Sequence, residues 1–319
     1  MKNIYSNIFS YNKKSLNNTI TILKKGNIVG LPTETVYGLA GNAYLKEPIK
    51  KIYKLKKRPK INPLIVHFFN YRDAENDVIL NNNFLKLYKK FCPGPITFIL
   101  KKKKKSKIQP MVSANLSSIA IRFPSHKVTR SILKKINFPL AMPSANISSN
   151  VSPVSAEDVT DEFKKDIKFI LNGGECKIGI ESTVIDLTRK PTILRPGIIG
   201  AKPIAKILKT KINFSKKNSK ITSPGMLKRH YSPGIPIILN KTPVNGTIAC
   251  ITLGKKYKNK TNYFNLSKKS NLKEAASNLY KTLRKIKKLK FKKIYVVKIP
   301  CSGEGIAIND RLIRAAKKK

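Results

Sequence analysis

Four clusters of polar and charged residues could do chemistry, and each follows a segment that we predict to be a strand. Ligands of open α/β sheets usually bind at such strand ends. The first cluster is the 32–38 segment PTETVYG, where two hydroxyls and a carboxylate come after an apolar run. This set can hold a small polar ligand. It can equally be a helix cap, with Thr33 or Thr35 as the first residue.

The second cluster is Lys56, Arg58 and Asn62, within the segment KKRPKINPLIVH. Two cations beside an amide suit a triphosphate, because Arg binds phosphate through a planar fork and Lys acts as a point charge. The alternative is a pair of cations that stabilise a helix C-terminus. In a chain so rich in lysine, that alternative would be favoured if the cluster stood alone.

The third cluster combines Arg122 with the PSAN loop at 143–146 and the Ser152-Pro pair. Arg122 ends an apolar strand, so it should have an anionic partner. Ser144 and Asn146 offer short donors between a strand and a helix start, where phosphate often binds. Ordinary capping is the alternative.

The fourth cluster comprises the segments 173–175 (GGE), 181–184 (ESTV) and 194–197 (LRPG). Arg195 ends a strand in apolar surroundings, so it too should meet an anion. A structural ion pair would satisfy that need as well as a ligand would.

Strands and helices alternate before these clusters, which predicts an α/β domain with a twisted, mixed parallel and antiparallel open sheet over residues 1–205. Predicted strands span 27–31, 63–68, 96–100, 118–123, 138–142, 168–171, 183–187 and 192–195, and predicted helices span 15–25, 48–57, 84–91 and 127–136. Residues 206–234 lose this periodicity and predict a linker or lid. A small α/β domain is predicted over 235–319, with strands at 235–239, 247–253 and 293–299 and helices at 271–290 and 305–316.

The net charge of +50, from 66 Lys and Arg against 16 Asp and Glu, could indicate nucleic-acid binding. The chain is also rich in Asn and Ile, and the codons of Lys, Asn and Ile are all AT-rich. We therefore favour compositional bias. No apolar run is long enough to span a membrane, the four cysteines form no CxxC pair, and no signal peptide is apparent. We expect a cytoplasmic protein.

Taken together and in this order, PTETVYGL, KKRPKINPLIVH, PSAN, ESTV, LRPG and the SPGM and HYSP segments resemble the threonylcarbamoyl-AMP synthase family. The match is to its long form, with a YrdC-like catalytic domain and a small Rossmann-like second domain. It covers nearly the whole chain, including residues 303–312. It implies an L-threonylcarbamoyladenylate synthase, a nucleotidyltransferase that makes threonylcarbamoyl-AMP and pyrophosphate from L-threonine, bicarbonate or CO₂, and ATP. The product would serve N6-threonylcarbamoyladenosine formation next to the anticodon of tRNA.

The resemblance also implies two sets of ligand-binding residues. The threonine-binding set is Thr35, His67, Arg122, Met142 (through its backbone) and Ser182. The ATP-binding set is Lys56, Arg58, Asn62, Ser118, Ser144, Asn146, Ser152, Arg195 and Tyr231. The chain departs from the family at Ser149, where glycine is usual and would permit a positive φ.

The implied chemistry needs no protein nucleophile, and Lys56 and Arg58 would stabilise charge. Mg²⁺ should accompany ATP, no protein ligand for it is identifiable, and no organic cofactor is expected. The implied partner is the downstream tRNA threonylcarbamoyl transferase complex, and the basic surface could also bind RNA non-specifically. Two alternatives remain: a double-stranded RNA-binding protein, and a carbamoyl-transfer domain. The latter normally accompanies acylphosphatase and zinc-finger regions, which are not apparent here.

Overall fold

The computed structural model describes residues 5–215, 223, 230–244, 246–257 and 260–317. In the first domain the strands are β1 (Ile8–Ser10), β2 (Val29–Leu31), β3 (Gly38–Asn42), β4 (Ile65–His67), β5 (Ile96–Lys101), β6 (Ser118–Arg122), β7 (Leu140–Ala141), β8 (Ile170–Asn172), β9 (Thr183–Asp186), β10 (Thr192–Arg195) and β11 (Asn213–Phe214). They form one sheet in the order β1-β8-β2-β3-β7-β4-β6-β5-β9-β10-β11. The sheet contains parallel pairs such as β4–β6 and antiparallel pairs such as β5–β6, so the predicted mixed sheet is confirmed.

Seven α-helices lie in the described part of this domain: α1 (Lys13–Lys24), α2 (Lys46–Leu55), α3 (Tyr71–Ala74), α4 (Asn82–Phe91), α5 (Lys127–Leu133), α6 (Ala156–Phe163) and α7 (Ala201–Leu208). Their starts follow local rules, since Asn12, Asn81 and Ser155 each accept a bond from a backbone N–H of the first turn. The helices bury their apolar sides against the sheet, which is why central strands such as β2 and β3 are buried throughout.

The second domain is a four-stranded sheet of β12 (Ile237–Leu239), β13 (Ala249–Thr252), β14 (Tyr263–Asn265) and β15 (Ile294–Val296), in the order β12-β15-β13-β14. All three strand pairs are parallel, as a Rossmann-like arrangement requires. Its helices are α8 (Leu272–Lys288) and α9 (Gly305–Ala315). The apolar face of α8 is buried, with Leu279 and Leu283 fully covered. None of the described helices is both long and apolar enough to cross a membrane.

The structure corrects several predicted elements. The 32–38 segment leads from β2 into β3, not into a helix, so the capping interpretation of Thr33 and Thr35 is wrong. Strand β3 escaped prediction because its sequence, GLAGN, contains two glycines and shows no alternation. Helix α6 was also missed. The predicted helix at 127–136 ends at Leu133.

The predicted linker is only partly within the described residues. Helix α7 continues to Leu208 and β11 pairs with β10, so the irregular part begins later than residue 206. Residues 216–222 and 224–229, with most of the SPGM segment, lie outside the described residues. The domain boundaries and the lid therefore stay predictions.

Candidate active site

The candidate site is a cavity at the ends of β4 and β6. The pairing of these parallel strands puts His67 opposite Arg122 at the cavity. Six of the predicted residues line it: Arg58, His67, Arg122, Met142, Ser144 and Arg195. The other eight lining residues also belong to the predicted segments, although the predicted ligand-binding sets do not include them: Thr33, Val36, Tyr37, Gly38, Ile65, Pro143, Glu181 and His230. Residues far apart in sequence thus converge on one space.

Arg58 lies in the loop after α2 and is almost fully buried. Its Nη2 donates to Asn62 Oδ1 at 2.7 Å and to the Pro63 carbonyl at 2.6 Å, and its Nε donates to the Asn62 carbonyl at 2.9 Å. Burial, together with the charge of Arg195, lowers the pKa of Arg58 to about 10. Asn62 therefore acts on the cavity by orienting Arg58, and its own Nδ2 is buried without a partner.

Lys56, the C-cap residue of α2, is buried behind the PSAN loop. Its Nζ donates to the carbonyls of Ser144 at 2.6 Å and Asn146 at 2.5 Å. Burial, reinforced by the charge of Arg58, holds the pKa of Lys56 well below its usual value. The ammonium thus fixes the loop from behind, while Ser144 itself borders the cavity. Asn146 Oδ1 is buried without a partner.

Arg195 ends β10 beside the ESTV segment, at the point where the β9–β10 register shifts. Its Nε donates to the Ser182 carbonyl at 3.1 Å and its Nη2 to Ser182 Oγ at 3.0 Å. The Ser182 hydroxyl also bonds Thr97 Oγ1 at 2.7 Å. Ser182 is fully buried and does not line the cavity. In this arrangement it orients Arg195.

Arg122 has the anionic partner that its burial required, and that partner is a residue of the chain. Its Nη2 donates to Glu34 Oε1 at 2.7 Å, and the Ser125 N–H donates to Glu34 Oε2 at 3.1 Å. Among the described residues, neither the buried Arg122 Nε nor the buried His67 Nδ1 has a partner. Burial, with the charge of Arg122 in addition, holds the pKa of His67 well below its usual value, so His67 is neutral.

The 32–38 segment contributes through its first hydroxyl. Thr33 lines the cavity, and its Oγ1 bonds Thr35 Oγ1 at 2.8 Å and accepts from the Val36 N–H at 3.1 Å. Thr35 lies behind it, fully buried. Gly38 faces Met142 so closely that a Cβ there would clash with the Met142 side chain. Glycine is required because β3 and the PSAN loop approach each other at the cavity wall.

The His230-Tyr231 pair covers the cavity from the side of the second domain. His230 lines it, and the Tyr231 ring packs behind His230 at a centroid distance of 4.0 Å. Tyr231 is fully buried, and its hydroxyl has no partner in the part of the chain that the structure describes. Burial lowers the pKa of His230 to about 3, and the charges of Arg58, Lys56 and Arg195 act in the same direction. The next residue, Ser232, donates its N–H to the Ser149 carbonyl at 2.8 Å.

Three other predicted residues lie away from the cavity lining. Ser152 is buried and donates to Glu181 Oε1 at 2.5 Å, so it contacts the site through that carboxylate. Asn146 supports the PSAN loop with bonds to the carbonyls of Ile147 and Asn150. Ser118 begins β6, opposite Lys101, whereas Arg122 at the other end of that strand faces the cavity. No described contact connects Ser118 with the cavity.

Glu181 is the main group that sequence reasoning missed, although it belongs to the ESTV segment. Its Oε2 accepts bonds from Tyr280 Oη at 2.7 Å and from Arg311 Nε at 3.0 Å. Burial alone would raise the pKa of Glu181, but the charges of Arg311 and Arg195 outweigh it and lower the pKa to about 2. The signal for Arg311 is weak in sequence, because it is one of 66 basic residues.

The described residues offer little to a metal ion. Within them, no group of three or more His, Cys, Asp or Glu side chains could hold one. The carboxylates nearest the cavity, Glu34 and Glu181, already accept bonds on both oxygens. The donor set therefore does not fit a resident Mg²⁺ site.

The mixed sheet with a cationic cavity, and the parallel sheet packed against it, define a two-domain α/β enzyme. Residues 21–197 match the Sua5, YciO and YrdC family, described as "Telomere recombination", and residues 199–317 match "Threonylcarbamoyl-AMP synthase, C-terminal domain". The chain belongs to the threonylcarbamoyl-AMP synthase family and is an enzyme of the nucleotidyltransferase type. The predicted resemblance is thereby confirmed.

Individual relatives agree with this assignment. The threonylcarbamoyl-AMP synthase of Pyrococcus abyssi is 33% identical over 92% of this chain and 92% of its own length. That of Bacillus subtilis is also 33% identical, over 96% of this chain and 94% of its own. The crystal structure of P. abyssi Sua5 complexed with L-threonine superposes with a TM-score of 0.88, at 30% identity, covering 97% of this chain and 96% of that one. The two-domain fold is therefore shared along nearly the whole chain.

Proposed function

We propose that this chain makes threonylcarbamoyl-AMP and pyrophosphate from L-threonine, bicarbonate and ATP. The observation that supports this best is the cavity's charge. Arg58 and Arg195 border it with only neutral hydrogen-bond partners among the described residues, and Lys56 lies directly behind its wall. Buried cations that have no carboxylate in ion-pair contact favour a polyanionic ligand.

ATP would place its triphosphate against Arg58 and Arg195. Asn62 and Ser182 hold these two guanidinium groups in place. Lys56 and Asn146 would shape the PSAN loop, so that Ser144 meets the nucleotide. The remaining ATP residues of the proposal are Ser118, Ser152 and Tyr231, and of these Ser118 has the least structural support because it lies away from the cavity.

Threonine would bind on the opposite side of the cavity. The unpartnered Arg122 Nε suits its carboxylate, and the neutral His67 Nδ1 can accept a hydrogen bond from its amine. The P. abyssi relative has been crystallised with L-threonine, which supports a threonine site in this chain. Thr35, Ser182 and the backbone of Met142 complete the proposed threonine set.

The reaction needs positioning and charge stabilisation more than covalent chemistry. The neutral amine of threonine adds to the carbon of CO₂ derived from bicarbonate, loses a proton, and becomes a carbamate. A carbamate oxygen then attacks the α-phosphorus of ATP, and the bond to the bridging oxygen of pyrophosphate breaks. Arg58 and Arg195 would stabilise the charge that develops on the leaving group.

A protein nucleophile is not required, and the buried cysteines are poor candidates for one. Burial raises the pKa of the Cys92 and Cys176 thiols, so both are protonated at neutral pH, and neither lines the cavity. Mg²⁺ would arrive bound to the phosphates of ATP, since the described residues do not form a site of their own. No organic cofactor enters the proposal.

Mass spectrometry of the reaction mixture tests the proposal. The full chain is incubated with ATP, L-threonine and bicarbonate, and each component is omitted in turn. We expect threonylcarbamoyl-AMP and one equivalent of pyrophosphate only in the complete mixture. Pyrophosphate release without threonine, or AMP as the only nucleotide product, would argue for a different nucleotidyl transfer.

The product would be consumed by a tRNA threonylcarbamoyl transferase, because the mixed anhydride is an activated acyl donor. The net charge of +50 also favours non-specific RNA contact. A salt titration separates the two properties. RNA binding should weaken steeply between low and moderate salt, whereas adenylate formation should proceed in the absence of RNA.

A further inference from the structure

Arg311 of the second domain has no assigned role, yet it is fully buried against the cavity wall. It lies on α9, 130 residues along the chain from Glu181. Its Nε donates to Glu181 Oε2 at 3.0 Å, and its Nη1 donates to the Pro196 carbonyl at 2.7 Å. The guanidinium also lies over the Tyr231 ring, 5.1 Å from the centroid. One side chain therefore touches three parts of the catalytic assembly.

Glu181 presents an electrostatic problem for an ATP site. It lines the same cavity as Arg58 and Arg195, and it is ionised at neutral pH. A carboxylate at this position repels a triphosphate, and the burial of Glu181 strengthens that repulsion. The charges and polar groups that face Glu181 are Arg311 from α9, Tyr280 from α8, and Arg195, Ser152 and His230 around the cavity.

We infer that Arg311 is a positioning residue of the second domain that neutralises Glu181 from behind and holds it, with the Tyr231 ring, at the wall of the ATP site. The inference rests on the proposed function, since it concerns the binding of ATP to that cavity. It gives the second domain a role in the reaction. The domain supplies the counter-charge that keeps the cavity attractive to an anion.

An alternative is that Arg311 only attaches the two domains. The two roles differ in what they require of the side chain. Attachment requires the bidentate geometry and shape of arginine, whereas neutralisation requires a positive charge near Glu181. Attachment also affects both ligands, whereas neutralisation mainly affects ATP, because threonine is a zwitterion with no net charge.

Ligand affinities of the full chain separate these roles, measured by calorimetry with ATP and L-threonine individually. We expect Arg311→Met to weaken ATP binding about tenfold or more, and to change threonine binding less than about threefold. Arg311→Lys should stay within about threefold of wild type for ATP, because it retains the charge. The double variant Arg311→Met with Glu181→Gln should recover most of the lost ATP affinity, because it removes the carboxylate that Arg311 opposes at the cavity wall. Asp310, which also pairs with Arg311, keeps its ion pair with Arg314.

Lys281→Met is the matched control. Lys281 also joins the domains, through a half-exposed ion pair with Glu175 at 2.5 Å, but it touches neither Glu181 nor Tyr231. Its ATP affinity should equal that of wild type. Should Arg311→Met fail to fold, Glu181→Gln alone carries the test, and it should bind ATP at least as tightly as wild type.

Three results would overturn the inference: equal losses for ATP and threonine, Arg311→Lys as weak as Arg311→Met, or a double variant no better than the single one. Weaker ATP binding by Glu181→Gln would do the same. Product formation by the wild-type chain tests the proposed function separately. The ratios of ligand affinity between variants are measured without any catalytic reaction. The role of Arg311 and the proposed function can therefore fail independently.

Discussion

Buried cations lie in two regions of this molecule, and the regions differ in what the cations bond. At the cavity, Lys56, Arg58 and Arg195 donate to backbone carbonyls, a side-chain amide and a hydroxyl. Among the described residues none of the three has a carboxylate in ion-pair contact.

At the interface between the domains the pattern is reversed. Arg311 bonds Glu181, and Arg284 lies 3.6 Å from Asp158 and 3.7 Å from Glu162. Arg284 also donates to the Val151 carbonyl at 2.6 Å. Here each buried charge has a counter-charge supplied by the chain itself.

This difference in bonding partners distinguishes cations that can bind a ligand from cations that stabilise the structure. Burial lowers the pKa of Lys56 and Arg58, because removing their charged forms from water costs free energy. Burial acts on Arg311 in the same direction, yet Tyr231, the Glu181 carboxylate, Tyr280 and the Asp310 carboxylate around it hold its pKa well above its usual value. Lys56, Arg58 and Arg195 are left available to an external anion, whereas Arg284 and Arg311 fix the domains. Arg122 follows neither pattern, because it lines the cavity and is paired with Glu34. Variants in the two regions should therefore fail in different ways.

The largest effect should follow Arg58→Met. Loss of one charged donor to a developing negative charge typically costs about 100-fold to 1000-fold in rate, and we expect that loss in threonylcarbamoyl-AMP formation. Folding should suffer little, because the substitution also removes an uncompensated buried charge. Product formation by mass spectrometry and the melting temperature, measured on the same preparation, check both halves. An active Arg58→Met protein, or one that is inactive because it has unfolded, would contradict the assignment of Arg58 to ligand binding and not to stability.

Arg284→Met should show the opposite behaviour. Breaking these mostly buried pairs leaves Asp158 and Glu162 without their cation, which we expect to lower the free energy of unfolding by about 2 kcal/mol, between the costs for exposed and for fully buried pairs. Lys288→Met is the control on the same helix. Lys288 pairs with Asp161 at 2.7 Å but is largely exposed, so its loss should cost about 0.5 kcal/mol or less. Urea unfolding measures the free energy of unfolding of both variants. Equal losses would contradict the expected difference between the two ion pairs.

The environment of His230 should make the stability of the protein depend on pH. Its pKa is about 3 in the folded state against about 6.5 unfolded. Below pH 6.5 the unfolded chain therefore binds a proton that the folded chain does not. The free energy of unfolding should fall by about 1.4 kcal/mol per pH unit from this group as the pH decreases towards 4.

His230→Gln should remove that contribution. Between pH 6 and pH 4 we expect wild type to lose about 2–3 kcal/mol more than the variant, measured by urea unfolding at each pH. Saturating ATP should reduce the wild-type slope, because a bound anion offsets the cations that disfavour protonated His230. Parallel profiles for wild type and variant would show that His230 is not held neutral by its surroundings.

Sequence reasoning anticipated the sheet and the cavity cations for a physical reason. Apolar runs that end in Arg122 or Arg195 predict buried strands with a charge at the end, and parallel packing brings such ends together. What escaped prediction depends on long-range contacts. Nothing near Lys56 indicates that its ammonium faces carbonyls 88 and 90 residues away. Arg311 meets Glu181 across the domain interface, and pattern alone does not distinguish it from a surface cation.

The smallest expected effect is at Ser149, where the loop at the cavity meets the His230-Tyr231 segment. Its φ is 74°, in the left-handed region that glycine enters without strain. Ser149→Gly should raise the free energy of unfolding by about 0.5 kcal/mol, since the relief of about 1 kcal/mol of backbone strain is partly offset by the entropy of glycine in the unfolded chain.

Ser148→Gly is the neighbouring control, because residue 148 is not among the described residues with positive φ and gains nothing from glycine. Urea unfolding resolves the two variants, and product formation shows whether strain at this position contributes to catalysis. A stabilised Ser149→Gly protein with unchanged turnover would mean that the backbone strain at Ser149 does not contribute to catalysis. Reduced turnover would mean that the loop's exact conformation helps to bring the His230-Tyr231 segment onto the cavity, which links the binding region to the structural one.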